Sequence, residues 1–309
     1  MKNFLVIFAA TISLVHPKFG FSQALPQLIR PEILELVRQI ERDSVLQGPR
    51  LGMMGDTLFP SPQFTRFAEL QRKATLDELV LLTDHSSPVI RCHAIEAVID
   101  SATEAFLPRM LVHLSDTAMV TVQAFDFIRY MTVGDYLRVE VLPSCLLHIL
   151  PNEKSYELIR NLVVREEVPA AIVALARFGR QTDEGLIIAR VEDEATRYYG
   201  LMAMREFPAA SFFPVLRRIH SEYLSELSLQ FLAQVRLYEV LVQYKTAETV
   251  TLLEQALLAA QREEFRLHRI YIFAALEKYP APVFRNVKDG IKLEMGERRL
   301  LNTLMSHGN

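Results

Sequence analysis

Leu107-Pro108-Arg109-Met110-Leu111-Val112-His113-Leu114-Ser115-Asp116 is echoed by Leu142-Pro143-Ser144-Cys145-Leu146-Leu147-His148-Ile149-Leu150, and again by Phe213-Pro214-Val215-Leu216-Arg217-Arg218-Ile219. Pro108 and Pro143 are 35 residues apart, and Pro143 and Pro214 are 71 apart, close to two such steps. Self-similarity on this scale is the mark of an array of small supersecondary units. A second segment repeats independently. Leu79–Ala94, LVLLTDHSSPVIRCHA, aligns with Leu186–Gly200, LIIARVEDEATRYYG, after one gap, which sets Arg91 over Arg197 and Ala94 over Gly200. Phe207-Pro208-Ala209 returns as Tyr279-Pro280-Ala281.

Working outward, apolar residues recur at helical spacing along most of the chain past residue 63. Phe106, Leu107, Met110, Leu111 and Leu114 form one stripe, and Val120, Ala124, Phe127, Ile128 and Met131 the next. Helix starts are marked by Ser87 before Pro88 and by capping-box spacings at Thr75/Glu78 and Ser101/Glu104. No run alternates convincingly with period two, so the expected fold is all-α, with helices joined by short polar turns.

These residues resemble the HEAT repeat family. Leu107, Pro108 and Asp116 match its first helix and turn, and Asp84, Val89, Arg91 and Ala94 match its second half. The resemblance covers residues 64–290 and implies an α-solenoid of roughly six to seven degenerate helix pairs in a right-handed superhelical stack. Its signature positions are Asp84, Arg91, Pro108, Asp116, Pro143, Arg197 and Pro214. The pattern breaks where Pro151-Asn152 replaces the turn aspartate and where Gly185 replaces the proline. Prolines inside first helices are expected to kink them, and Ala94 and Gly200 to admit close helix approach.

Residues 1–24 read as a secretory signal peptide, with Lys2 as the charged start, Phe4 to Val15 as the apolar run and cleavage after Ala24. The expected location is periplasmic or secreted. The apolar run is too short to span a bilayer, and no later stretch is long enough, so the chain is not expected to be an integral membrane protein. Of the 309 residues, half are hydrophobic and 23% charged, enough to build a large core. Loss of Lys2 and Lys18 changes the formal charge from −3 to −5, which disfavours nucleic acid as a partner. Residues 25–63 are expected to form a cap helix, with Pro31 at its start and Ile33, Leu34, Val37 and Ile40 on its apolar face, followed by a Gly/Pro-rich loop. Residues 291–309 are expected to be a tail. Cys92 and Cys145 are expected to be free buried thiols.

No signature of catalysis stands out. His85, His93, His113, His148, His220 and His268 are scattered singly, without metal-ligand spacing, and are expected to be partly exposed surface residues. There is no Gly-x-Ser-x-Gly, and Glu166-Glu167 and Glu263-Glu264 are adjacent rather than facing. No catalytic, metal or cofactor residue is therefore assigned. Arg91, Arg197 and Arg269 recur at second-helix starts and are expected to bond turns and carboxylates, with a line of basic residues for an acidic ligand as the alternative. The loop around Met53, Met54, Leu58 and Phe59 is expected either to cap the array or to offer an adaptable apolar contact. The expected function is a non-enzymatic protein- or peptide-binding scaffold of the cell envelope. The alternative is an enzyme, or an enzyme accessory, with a site assembled from several repeats.

Overall fold

The computed structural model describes residues 28–48, 50–54, 57–124, 127–146, 148–149, 152–165, 168–225, 231–260 and 266–307. The proposed signal peptide lies outside these residues, as do the paired carboxylates at 166–167 and 263–264. The fold is mostly helical and comprises two compact units. One holds residues up to Val98 together with Met119–Tyr130, and the other holds Ile99–Ala118 together with Met131 onward.

In the first unit, α1 (Pro31–Glu41) starts with proline in its first turn and buries Ile33, Leu36, Val37 and Ile40. It packs on α2 (Pro62–Lys73), which is capped by the Ser61 hydroxyl accepting from the Phe64 amide. Helix α3 (Leu76–Leu82) opens with the expected capping box of Thr75 and Glu78. Glu78 also accepts both arms of a fork from Arg30, at 3.0 and 2.8 Å, and this pairing holds its carboxyl down at about 2. Helix α4 (Pro88–His113) follows and continues into the second unit.

Strands interrupt this pattern where none was expected. The stretch from Val45 to Pro60 is not a loop: it contains β1 (Val45–Gln47), β2 (Arg50–Met54) and β3 (Thr57–Pro60). Strands β2 and β3 form an antiparallel hairpin that pairs Met53 with Leu58 and Gly52 with Phe59. The supposed helix from Val120 to Met131 is instead β4 (Met119–Ala124) and β5 (Phe127–Thr132). The order β1-β4-β5 makes a three-stranded sheet, with Leu46 opposite Val122 in the parallel β1–β4 pair. Val120 and Val122 are buried while Thr121 and Gln123 are half-buried, an alternation that belongs to a strand. Valine, threonine and aromatic residues are dense here, and their branched or bulky side chains suit a pleated surface. Tyr130 is 75% exposed. A polar cluster locks β1 to the start of α2: Gln63 Oε1 accepts from the Gln47 amide at 2.8 Å, and the Ser61 hydroxyl bonds Gln47 Oε1 at 2.8 Å.

The second unit continues with α5 (Val133–Tyr136), a π-helical turn (Leu137–Val141) and α6 (Leu142–Leu146). The three Leu/Phe-Pro segments that suggested the repeat are not structurally equivalent. Pro108 lies deep inside α4; Pro143 follows the π turn, whose wider bonding, with the Leu142 amide on the Leu137 carbonyl, accommodates the missing donor; Pro214 sits in the first turn of α11 (Phe213–Ser225), where its N–H would be unpaired anyway. The Ser101/Glu104 capping box is overridden too, because α4 runs through both positions without ending.

Beyond residue 150 the helices do come in pairs. These are α7 (Glu153–Val164) with α8 (Ala171–Ala176), α9 (Glu184–Glu192) with α10 (Arg197–Glu206), α11 with α12 (Phe231–Leu241), α13 (Ala247–Ala259) with α14 (Arg266–Lys278), and α15 (Arg285–Asp289) followed by α16 (Met295–His307). Each of the first four pairs packs internally. The second members also form a continuous row, α8 on α10, α10 on α12, α12 on α14 and α14 on α16. Turns of 3-10 helix at Gln181–Asp183, Ala210–Phe212 and Pro282–Phe284 lead into α9, α11 and α15, and each ends on a buried residue. The expected C-terminal tail is therefore largely a helix: α16 joins the row, and its buried Glu297 ion-pairs with Arg269.

The close approach expected at Gly200 is real. A Cβ there would lie 2.5 Å from Val191 Cγ2 and 2.6 Å from the Val191 backbone nitrogen, so α10 crosses α9 nearly backbone to backbone. Gly200→Ala is expected to lower stability by about 1–3 kcal/mol through overpacking, measured by urea unfolding. An unchanged midpoint would mean that α9 yields without cost.

Candidate functional site

Arg91 and Arg197, 106 residues apart, perform the same local task. Arg91 donates to the carbonyls of His85 and Ser86 at 2.8 and 2.9 Å; Arg197 donates to those of Val191 and Glu192 at 2.9 and 3.5 Å. Each guanidinium reaches the residues six and five positions before it and so ties down the turn ahead of its helix. Arg197 also meets Glu222 at 3.7 Å. Asp84 is exposed in the turn after α3. Asp116 turns the chain toward β4, accepting from the Ala118 amide at 2.9 Å, rather than toward a new helix. Pro108 and Pro214 are exposed. These signature residues are distributed along the chain, and none of them lines either of the two clefts described below. Met53, Met54, Leu58 and Phe59 belong to the β2–β3 hairpin, and their side chains lie outside the described residues.

The histidines are more buried than expected. His93 is covered and stacks on Phe67 with ring centroids 4.3 Å apart; His113, His220 and His268 are buried, and His148 is exposed. His220 of α11 and His268 of α14 flank Tyr238 of α12, their ring centroids 6.2 and 5.8 Å from its own and nearly perpendicular. The Tyr238 hydroxyl shares a hydrogen bond with Nδ1 of His268. Neither ring nitrogen of His220 meets hydrogen-bond geometry, although the Leu252 backbone lies near enough to oppose its shift weakly. Burial pushes both imidazoles down to about 4, with the nearby His268 adding to the shift at His220, and pushes the Tyr238 phenol up. At neutral pH this is a buried column of uncharged rings. Among the described residues no group of three His, Cys, Asp or Glu side chains is placed to hold a metal ion. Cys92 and Cys145 are both free and buried, and the Cys145 thiol donates to the Val141 carbonyl at 3.0 Å.

Beside the ring column, α12 carries a buried charge. Glu239 meets Arg205 of α10 at 3.4 Å, Arg236 of its own helix at 2.5 Å and Lys278 of α14 at 3.0 Å, so one carboxylate ties three successive helices of the row. Burial pushes its carboxyl up, but the hydrogen bonds and charges of Arg236 and Lys278 outweigh that and hold it below the usual range.

Lys278 also opens onto solvent. Two open clefts, of about 520 and 420 Å³, share Pro280 in their linings. The first is lined by Val242, Gln243, Lys245, Lys278 and Tyr279, from the turns that follow α12 and α14. The second runs on over Leu276, Pro282 and Phe284 to Arg285, Lys288 and Asp289 of α15. Together they form a groove with an apolar floor and basic rims along the ends of the last helix pairs. The sequence contained one usable signal for it, the Tyr279-Pro280-Ala281-Pro282 run, in which two closely spaced prolines interrupt the α-helix pattern. Neither His220, Tyr238 nor His268 lines either cleft.

No described helix is long and apolar enough to cross a membrane. Comparison of the chain with protein families, with curated proteins and with solved structures gives no match.

Proposed function

We propose that the protein is a non-enzymatic scaffold of the cell envelope or extracellular space, built on a stack of HEAT-like helix pairs, which holds a segment of another protein. The observation that carries this reading is the groove across the turns after α12 and α14, which offers apolar floor and charged rim on one continuous surface. The unbroken row α8-α10-α12-α14-α16, and the matched turn-binding of Arg91 and Arg197, support the stack. Helix-pair starts advance by roughly 30 to 40 residues, within the range of such repeats. A catalytic reading needs polar groups that converge in a cleft. The most strongly perturbed groups of the row are instead buried away from both clefts.

Site-specific photo-crosslinking in the intact cell envelope tests the proposal. A photoreactive residue replacing Gln243 in the groove is expected to capture a discrete protein partner, whereas one replacing exposed Asn302 on α16 is not. Equal capture from both positions, or none from Gln243, would remove the groove from the account.

A further inference from the structure

We infer that the groove takes an extended acidic segment of its partner, with carboxylates seated on Lys245 and Arg285; this rests on the groove reading above. Four cations line the two clefts. Lys278 is committed to Glu239 at 3.0 Å and Lys288 to Glu277 at 2.9 Å. Lys245 and Arg285 are exposed and make no ion pair among the described residues, and Asp289 is the one carboxylate in either lining. Local positive charge therefore stands out on a chain whose formal charge is −3. Such a patch steers an anionic partner and raises its association rate.

The backbone of the shared rim sharpens the choice. Pro280 and Pro282 have no N–H, so the shared rim offers carbonyl acceptors but few main-chain donors. A partner strand cannot add to this edge by ladder pairing, which needs both donors and acceptors. The charge-assisted donors come from side chains, and Arg285 brings a planar fork suited to a carboxylate. Val242, Tyr279 and Phe284 supply floor for apolar residues between the acids. A nucleic acid needs a longer run of uncommitted cations than these two to neutralise successive phosphates.

The experiment is selection of random displayed dodecapeptides on the purified mature chain, in parallel with the double variant Lys245→Glu/Arg285→Glu. Both side chains are exposed, and circular dichroism checks that the variant keeps its helices. The expected result is enrichment of peptides richer in Asp and Glu than the input. A synthetic copy of an enriched peptide should bind the variant at least about tenfold more weakly and lose affinity as salt rises. Groove-dependent peptides that are neutral or basic would overturn the acidic inference and leave the groove standing. No enrichment, or enrichment indifferent to the double variant, would overturn both. Tighter binding of a single-stranded oligonucleotide than of any peptide, abolished by the same variant, would reassign the groove to nucleic acid.

Discussion

Acidification from pH 7 to pH 5 is expected to cost on the order of 2 kcal/mol of stability for each of His220 and His268. Both imidazoles are buried, and both are held at about 4, against an ordinary value near 6.5. The unfolded chain therefore takes up protons that the folded chain refuses. Their contribution is intact above about 6.5 and is lost as pH falls from there toward 4, so stability rises with pH across that window. Tyr238 and Tyr223 stay protonated throughout, because burial raises both phenols. The carboxylates act later: Glu78 and Glu239 titrate low, so their contribution is present above about 4.5 and is lost only below it. Urea unfolding at a series of pH values separates the two ranges. His220→Phe fills similar space, removes a ring whose nitrogens make no hydrogen bond, and is expected to unfold near the wild-type midpoint at pH 7.5 while resisting acid better at pH 5. Stability flat between pH 7 and 5, or a variant that tracks the wild type throughout, would show that water reaches these rings.

Removal of the buried carboxylate should be as damaging at neutral pH. Glu239→Ala leaves Arg205, Arg236 and Lys278 facing one another around a cavity and is expected to cost about 3–5 kcal/mol. Glu239→Gln keeps the volume but not the charge and should recover only part of that loss. The size of the effect comes from the uncompensated cations as much as from the lost bonds. A like-for-like control is the exposed pair of Arg217 and Glu248, at 3.1 Å with both side chains about half solvent-exposed. Glu248→Ala there should cost less than about 1 kcal/mol, since water screens the pair. Urea midpoints for the three variants decide the matter, and a Glu239→Ala loss no larger than that of Glu248→Ala would mean that the three helices are held by packing alone.

Both effects sit on residues that sequence reading passed over. His220 and His268 carry no spacing that marks them as partners, being 48 positions apart, and Glu239 reads along the chain as one more charged helix residue. The features that were legible are those whose physics is complete within a few residues. The Thr75 capping box, the proline at the start of α1, the buried stripe of α1 and the turn-binding arginines at 91 and 197 all close their hydrogen bonds or their apolar face inside one or two turns. The Leu/Phe-Pro echo misled because proline has several acceptable positions in a helix: the first turn at Pro214, and the end of a π turn at Pro143. The groove was illegible for a related reason: its cations come from separate turns, and only folding shows that Lys278 and Lys288 are spent on carboxylates while Lys245 and Arg285 make no ion pair among the described residues.

Residues 119–132 mark the boundary most clearly. Apolar side chains at Val120, Ala124, Phe127, Ile128 and Met131 satisfy a helical period as well as they satisfy two short strands, and neither reading is settled by neighbours in sequence. The partner that decides is β1, whose Gln47 meets Gln123 across 76 residues. Amino-acid order was enough to set a predominantly helical chain, because helix bonds and caps form between residues three to six apart. Strand pairing, the burial of two histidines beside one tyrosine, the three-cation seat of Glu239 and the basic groove were decided by tertiary contact alone, because each depends on groups that only folding brings together.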